Sequence, residues 1–391
     1  MKITDIKTYA VYAYRTNFVF LKIETDEGIS GVGEGTLEYK DNALLGAIED
    51  IRHVLIGRDP RQVELITSEL YRDSYWRIGP VLQSAVSAVD MALWDIKAKK
   101  AGIPLYEMLG GKVRESIRMY ANVWFAGAKT ADEFAAAAAK AKDLGVTALK
   151  WDPFGEAYLH MENSEFTSAV EIVEAVRGAV GNDVDLLIEC HGRFDIATGV
   201  KVVNAMKPFS PYFVEEPTPP DSFDAIAEVR SKSPVPIAGG ERVYGIMQMK
   251  DYLARGCVDI VQPDISHCGG VSAIKKMAAL AETHYVGLAP HNPSGPVANA
   301  ATLQMAGCLP QFRILEICLT DVSYRHEFSD EDVVFENGHI SIPDKPGLGI
   351  SLKEENMDKY PMVNIDLRHY NGTLTDVRHP SETSYYFRGL I

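Results

Sequence analysis

From about residue 116 to about 325 the chain repeats one unit: a short apolar run closing on a polar residue, a loop, an amphipathic helix, then another run. The runs are SIRMYANVW, TALKWD, DLLIECH, YFVEEP, PIAGGER, DIVQPD, VGLAPH and ILEI. The helices between them include ADEFAAAAAKAKDLG, EFTSAVEIVEAVRGAVG and VSAIKKMAALAETH. Near-continuous apolar strands separated by helices are what a parallel sheet buried on both faces requires, and eight such runs are enough to close a barrel. In barrels the active site is built on the rim formed by the carboxyl ends of the strands. A single strand ending in an acid would be ordinary solvation. Seven endings that carry Asp, Glu or His are a pattern.

At 391 residues the chain exceeds one domain of about 150, yet a barrel alone absorbs roughly 250, so two domains are expected. Residues 1–115 read as an N-terminal α+β capping domain. KITDIKTYAVYAY and FVFLKIETDEGISGVGEGT cluster β-formers around the Glu27-Gly28 turn. VLQSAVSAVDMALWDIKAK then places Leu82, Ala85, Val89, Ala92 or Leu93, and Ile96 at helical intervals, and Gly102 and Pro104 mark the helix end. After the barrel, at 116–325, DEDVVFENGHISIPDKPGLGISL suggests a strand or two with turns. The segment 326–391 is expected to pack back on the capping domain.

The formal net charge of −15 argues against nucleic-acid binding, whose affinity comes from clustered cations. No apolar run reaches membrane-span length, and MKITDIKTYA lacks the apolar core of a signal peptide. Cys190, Cys257, Cys268, Cys308 and Cys318 are odd in number without CxxC spacing. They fit free thiols in a reducing, cytoplasmic compartment.

Glu189, Glu215 and Glu241 lie at matched strand ends, one strand-plus-helix step apart. Brought to one rim, three carboxylates repel one another, and burying them unpaired is costly. A hard divalent cation such as Mg²⁺ resolves that conflict and keeps positions for substrate oxygens. Independent salt bridges would explain one glutamate better than three. Asp264 and His291 close two consecutive later runs, and an Asp beside a His orients the ring and raises its basicity. His191 follows Glu189 by two residues and should face the same cavity, so two histidines could flank a substrate. His267 is a rim candidate, while His53 and His284 fit structural positions.

With these residues in place, the chain resembles the mandelate racemase subgroup of the enolase superfamily, and within it the galactonate- and gluconate-type acid-sugar dehydratases. The resemblance runs through ALKWDPFG, IECHGRF and LAPHNPSGP, through AVDMALWDIKAKKAGIPLYEMLGG in the cap, and through KPGLGI near the end. It implies an α+β cap plus a modified TIM barrel, (β/α)7β, and Mg²⁺ held by Glu189, Glu215 and Glu241. His291 with Asp264 would be the base, His191 the acid, and Glu316 a hydrogen-bonding partner of the substrate carboxylate. Lys150, Asp152, Arg193 and Trp76 are the further expected substrate contacts. The implied partner is a small sugar acid, with the enzyme a homo-oligomer.

One departure bears on the reaction. Racemase-like members carry a Lys-x-Lys pair on the second barrel strand, whose second lysine is a base. Here the triplet is Lys150-Trp151-Asp152, which favours a single-base dehydration through an enediolate to a 2-keto-3-deoxy acid. Glu216 is expected to support a ligand rather than be one. The alternatives are a racemase, epimerase or cycloisomerase of the same superfamily, or a non-catalytic sugar-acid binding protein.

Overall fold

The computed structural model describes residues 1–319 and 321–374. The cap opens with β1 (Ile3–Tyr12), β2 (Asn17–Thr25) and β3 (Ser30–Glu34), an antiparallel sheet in sequence order. Helices α1 (Asp41–Leu55), α2 (Val63–Arg72) and α3 (Pro80–Ala101) cover it. The α3 helix lies so close to β3 that a Cβ at Gly33 would meet the Ala88 carbonyl oxygen at 1.9 Å, and one at Gly31 the Ala92 oxygen at 2.1 Å. Only glycine permits that approach. The helix ends where Gly102 takes a left-handed φ of 72°. Ala85, Val89, Ala92, Leu93 and Ile96 are buried, whereas Leu82 is exposed, because the first turn of α3 projects beyond the sheet it covers. Asp90 and Asp95 are buried on the same helix, which is enclosed on most of its faces.

The barrel strands are β4 (Ser116–Asn122), β5 (Ala148–Trp151), β6 (Asp185–Glu189), β7 (Phe213–Glu215), β8 (Ile237–Gly239), β9 (Ile260–Val261), β10 (Gly287–Leu288) and β11 (Leu315–Cys318). They pair in parallel in sequence order from β4 to β10, and β11 returns to pair with β4. Leu288 in β10 hydrogen-bonds with Gln311 and Arg313 just before β11, so the eighth strand meets the seventh as well as the first. One buried cluster collects Tyr120, Ala148, Leu187, Phe213, Ala238, Ile260, Ala289 and Ile314, a side chain from each strand or its immediate flank. That is the filled interior of a modified TIM barrel, (β/α)7β, beneath an α+β cap.

Two short strands, β12 (Phe335–Glu336) and β13 (His339–Ser341), form a hairpin whose second strand pairs antiparallel with β4. This part of the C-terminal segment therefore joins the barrel rather than the cap. Farther on, the chain crosses to the cap. Pro361 bridges to Val11, Glu354 pairs with Tyr9 and Lys22, and Asn17 and Val363 exchange two hydrogen bonds, at 2.8 and 3.1 Å. The remainder of the expected packing, at 375–391, lies outside the described residues. Among the described residues no helix is long and apolar enough to cross a membrane.

Candidate active site

A cavity of about 700 Å³ lies at the carboxyl rim of the barrel, walled by strand ends, by the cap and by residues 367–374. Glu189 and Glu215 are the last residues of β6 and β7, and Glu241 follows β8 by two residues. One carboxylate oxygen from each lies within 4.8 Å of the others. Burial, and then the Glu215 carboxylate beside it, push the Glu189 carboxyl well above its usual range. Oε2 of Glu189 and Oε2 of Glu215 are buried without a hydrogen-bond partner. Converging hard oxygens, two of them without a hydrogen-bond partner, are the donor set a divalent cation takes, and the residues fit one.

Lys150 enters this acidic cluster from β5. Its Nζ lies 3.0 Å from Glu215, 3.1 Å from Glu316 and 3.4 Å from Glu189. Burial alone would discharge it, but the Glu215 and Glu316 carboxylates hold its pKa well above the ordinary lysine value. Lys150 is thus a buried counter-ion and no ordinary strand-end charge. Glu316 on β11 is fixed by Asn122 Nδ2 at 2.7 Å and by the Asn292 backbone N–H at 3.0 Å. Burial works against its charge, and Lys150 and His291 more than offset that and lower its pKa. Neither asparagine was singled out in the sequence, where an amide carries no strand-end charge signal.

His291 follows β10 by three residues. Its Nδ1 lies 2.7 Å from Asp264 Oδ2 and its Nε2 3.3 Å from Glu241. Burial opposes its charge, but Glu241, Glu316 and the Asp264 hydrogen bond together push its pKa up to about 10. Across the ring, His191 has the same arrangement, with Nδ1 2.6 Å from Asp152 Oδ2. His191 follows β6, the third barrel strand, and His291 follows β10, the seventh, so the two Asp–His pairs stand on opposite sides of an eight-strand ring.

Several expected contacts are placed differently. Asp152 lines the cavity, but its carboxylate is engaged by His191 and by Arg193. It orients a histidine rather than a substrate. Arg193 is fully buried: besides Asp152 it donates to the carbonyls of Cys190 and Gly155, at 3.0 and 2.8 Å, and does not line the cavity. A guanidinium with that many internal acceptors is a structural brace. Trp76 is 76% exposed on the loop between α2 and α3 and lies outside the cavity wall. Glu216 pairs with Arg242 and is not in the acidic triad. His267 does line the cavity, with Nδ1 2.9 Å from Ser84 Oγ of α3 and Nε2 3.7 Å from Asp264.

Sequence models of two domain families match the chain. The mandelate racemase / muconate lactonizing enzyme N-terminal domain covers residues 6–110, and the enolase C-terminal domain-like family covers 133–356. The chain belongs to the mandelate racemase / muconate lactonizing enzyme family of the enolase superfamily. Among members of this family, it is 35% identical to a D-galactonate dehydratase of Pectobacterium atrosepticum, covering 91% of this chain and 93% of the relative. It is 34% identical to a D-gluconate dehydratase of Thermoproteus tenax, covering 92% of this chain and 74% of that relative. A crystal structure of an enolase superfamily member from Salmonella Typhimurium superposes with a TM-score of 0.88 at 31% identity, over 93% of this chain and all of the other. Dehydratases are hydro-lyases, and the acidic triad matches the metal dependence usual in the superfamily.

Proposed function

We propose that this family member dehydrates a sugar acid, an aldonate of the galactonate or gluconate type, to a 2-keto-3-deoxy acid with Mg²⁺ at Glu189, Glu215 and Glu241. The observation that carries the reading is the pair of opposed Asp–His dyads on either side of the acidic triad. A divalent cation held by the three glutamates would supply positive charge beside the substrate carboxylate, where charge builds up as C2 loses its proton, and would offset the Glu241 charge that favours a protonated His291.

The chain's own groups divide the remaining work. Lys150 presents its ammonium beside Glu316, where a substrate carboxylate finds a charge partner and a fixed hydrogen-bonding edge. His291 takes the C2 proton at Nε2 while Asp264 holds Nδ1 and so sets the tautomer. From the opposite wall, His191 gives a proton to the departing C3 hydroxyl, which leaves as water, and Asp152 holds the ring at Nδ1. The enol then ketonises, losing the C2 hydroxyl proton and gaining one at C3. Position 152 holds a carboxylate already bound to His191 and Arg193 in place of the second lysine base of racemase-like members, which favours elimination over racemisation.

The test is a panel of aldonic and aldaric acids with Mg²⁺, scored for 2-keto-3-deoxy product. His291→Asn should remove C2 proton exchange with deuterated water by about a hundredfold or more. Exchange retained in that variant would assign the base elsewhere.

A further inference from the structure

Residues 367–371 form neither a strand nor a helix, yet they touch the histidine assigned as the acid. Tyr370 Oη donates to the His191 carbonyl at 2.8 Å, and the His369 ring meets the His191 ring edge-on, with centroids 5.2 Å apart. The cap holds this strap in turn. Tyr39 Oη lies 3.1 Å from His369 Nδ1, Glu38 lies 3.6 Å from both Arg368 and His369, and Arg368 donates to the Arg15 carbonyl.

His191 has a φ of +49°, a left-handed conformation uncommon outside glycine, so contacts that hold its backbone matter to where the ring points. Its backbone N–H is fixed by Glu189 Oε1 at 2.6 Å and its Nδ1 by Asp152. The carbonyl and the open face of the ring are left to Tyr370 and His369. We propose that the strap 367–371 is a positioning element for the proton donor, with Tyr370 and His369 as positioning residues that set His191 for the elimination half-reaction. The assignment rests on the dehydration reading above. It also gives the cap a role in the barrel chemistry, because the strap's contacts with Glu38 and Tyr39 fix where His191 points.

A purely structural strap would slow both half-reactions together, whereas a strap that aims His191 should spare proton removal by His291. In the full-length Mg²⁺-loaded protein, Tyr370→Phe and His369→Ala are expected to raise C2 deuterium exchange per keto acid formed by about tenfold, as misaimed proton donation lets the intermediate return. His369→Phe, which restores a ring against His191, should recover most of the ratio. A second readout needs no turnover: ethoxycarbonylation of His191, followed by peptide mass spectrometry, should run several-fold faster in His369→Ala than in the parent protein. An unchanged exchange-to-elimination ratio in an active parent overturns the inference, and so does an unchanged labelling rate at His191. If the parent converts no sugar acid, the dehydration reading fails, and the labelling rate still decides whether the strap covers His191.

Discussion

Lys150 shows how one residue carries several obligations. Its ammonium faces Glu189, Glu215 and Glu316 in a site where all four groups are buried. Removing one partner of a buried ionic cluster leaves charge uncompensated, which costs about 3–5 kcal/mol. Lys150→Met is therefore expected to lower thermal stability sharply in EDTA and by less with Mg²⁺, since a cation on the same carboxylates restores part of the missing charge. Equal losses with and without the metal would show that the lysine and the ion do not share ligands. Residue type alone could not distinguish Lys150 from Arg193 in this respect. Both are cations near strand ends, but one opens on the cavity and the other is enclosed by carbonyls.

At the scale of elements, the cap and barrel are joined through helix ends. Helices Gly270–Thr283 and Pro296–Cys308 have glycine N-caps, Gly269 and Gly295, and no side-chain cap of their own. The cap supplies the missing acceptors: Asp90 of α3 accepts from Ser272 N–H at 3.1 Å, and Glu34 of β3 accepts from Gly295 and Ala298 N–H at 2.6 and 2.9 Å. A carboxylate at a helix N-terminus satisfies free N–H groups and favours the dipole. The second of these helices begins just after the loop that bears His291, so Glu34 anchors that loop from the other domain. Burial nevertheless dominates at Asp90 and raises its pKa to about 7, against small lowering by Ser272. A raised acid pKa means that the folded state binds the proton more tightly than the unfolded one. Its stabilising contribution is complete below about pH 4 and is lost as pH rises through 7. Asp90→Asn should therefore gain on the parent by about 3 kcal/mol between pH 4.5 and pH 8. Thermal midpoints of both proteins across that range check it, and parallel curves would refute the shift.

At the scale of the molecule, three segments distant in sequence meet over one cavity: the cap loops, the barrel rim and the strap that follows the barrel. The acidic triad is the electrostatic focus of that assembly, and its repulsion is a cost borne by the folded state. A ligand that binds only the folded form stabilises it by about 2.7 kcal/mol at a hundredfold excess over its dissociation constant. Millimolar Mg²⁺ should accordingly raise the unfolding midpoint, and EDTA should reverse the rise. A midpoint insensitive to both would separate the triad from any metal. The barrel was legible because its strands repeat with a polar terminus, and α3 because apolar residues recur in it at helical intervals up to a glycine stop. The β12–β13 hairpin was legible only as strands. Its partner, β4, lies more than two hundred residues upstream, and no local pattern specifies that distance.

The sequence by itself determined which residues reach the rim, because parallel strands joined by helices send all their carboxyl ends to the same side. Equal spacing then brings Glu189, Glu215 and Glu241 to neighbouring strands, and Asp264 and His291 to the next two. What only the tertiary structure decided is how those side chains are occupied. Asp152 turned to His191 and Arg193, Trp76 stayed in solvent, and His369 and Tyr370 arrived from beyond the barrel. Strand-end position follows from local periodicity. Partner choice follows from where non-repeating segments return, and that is set by packing across the whole chain.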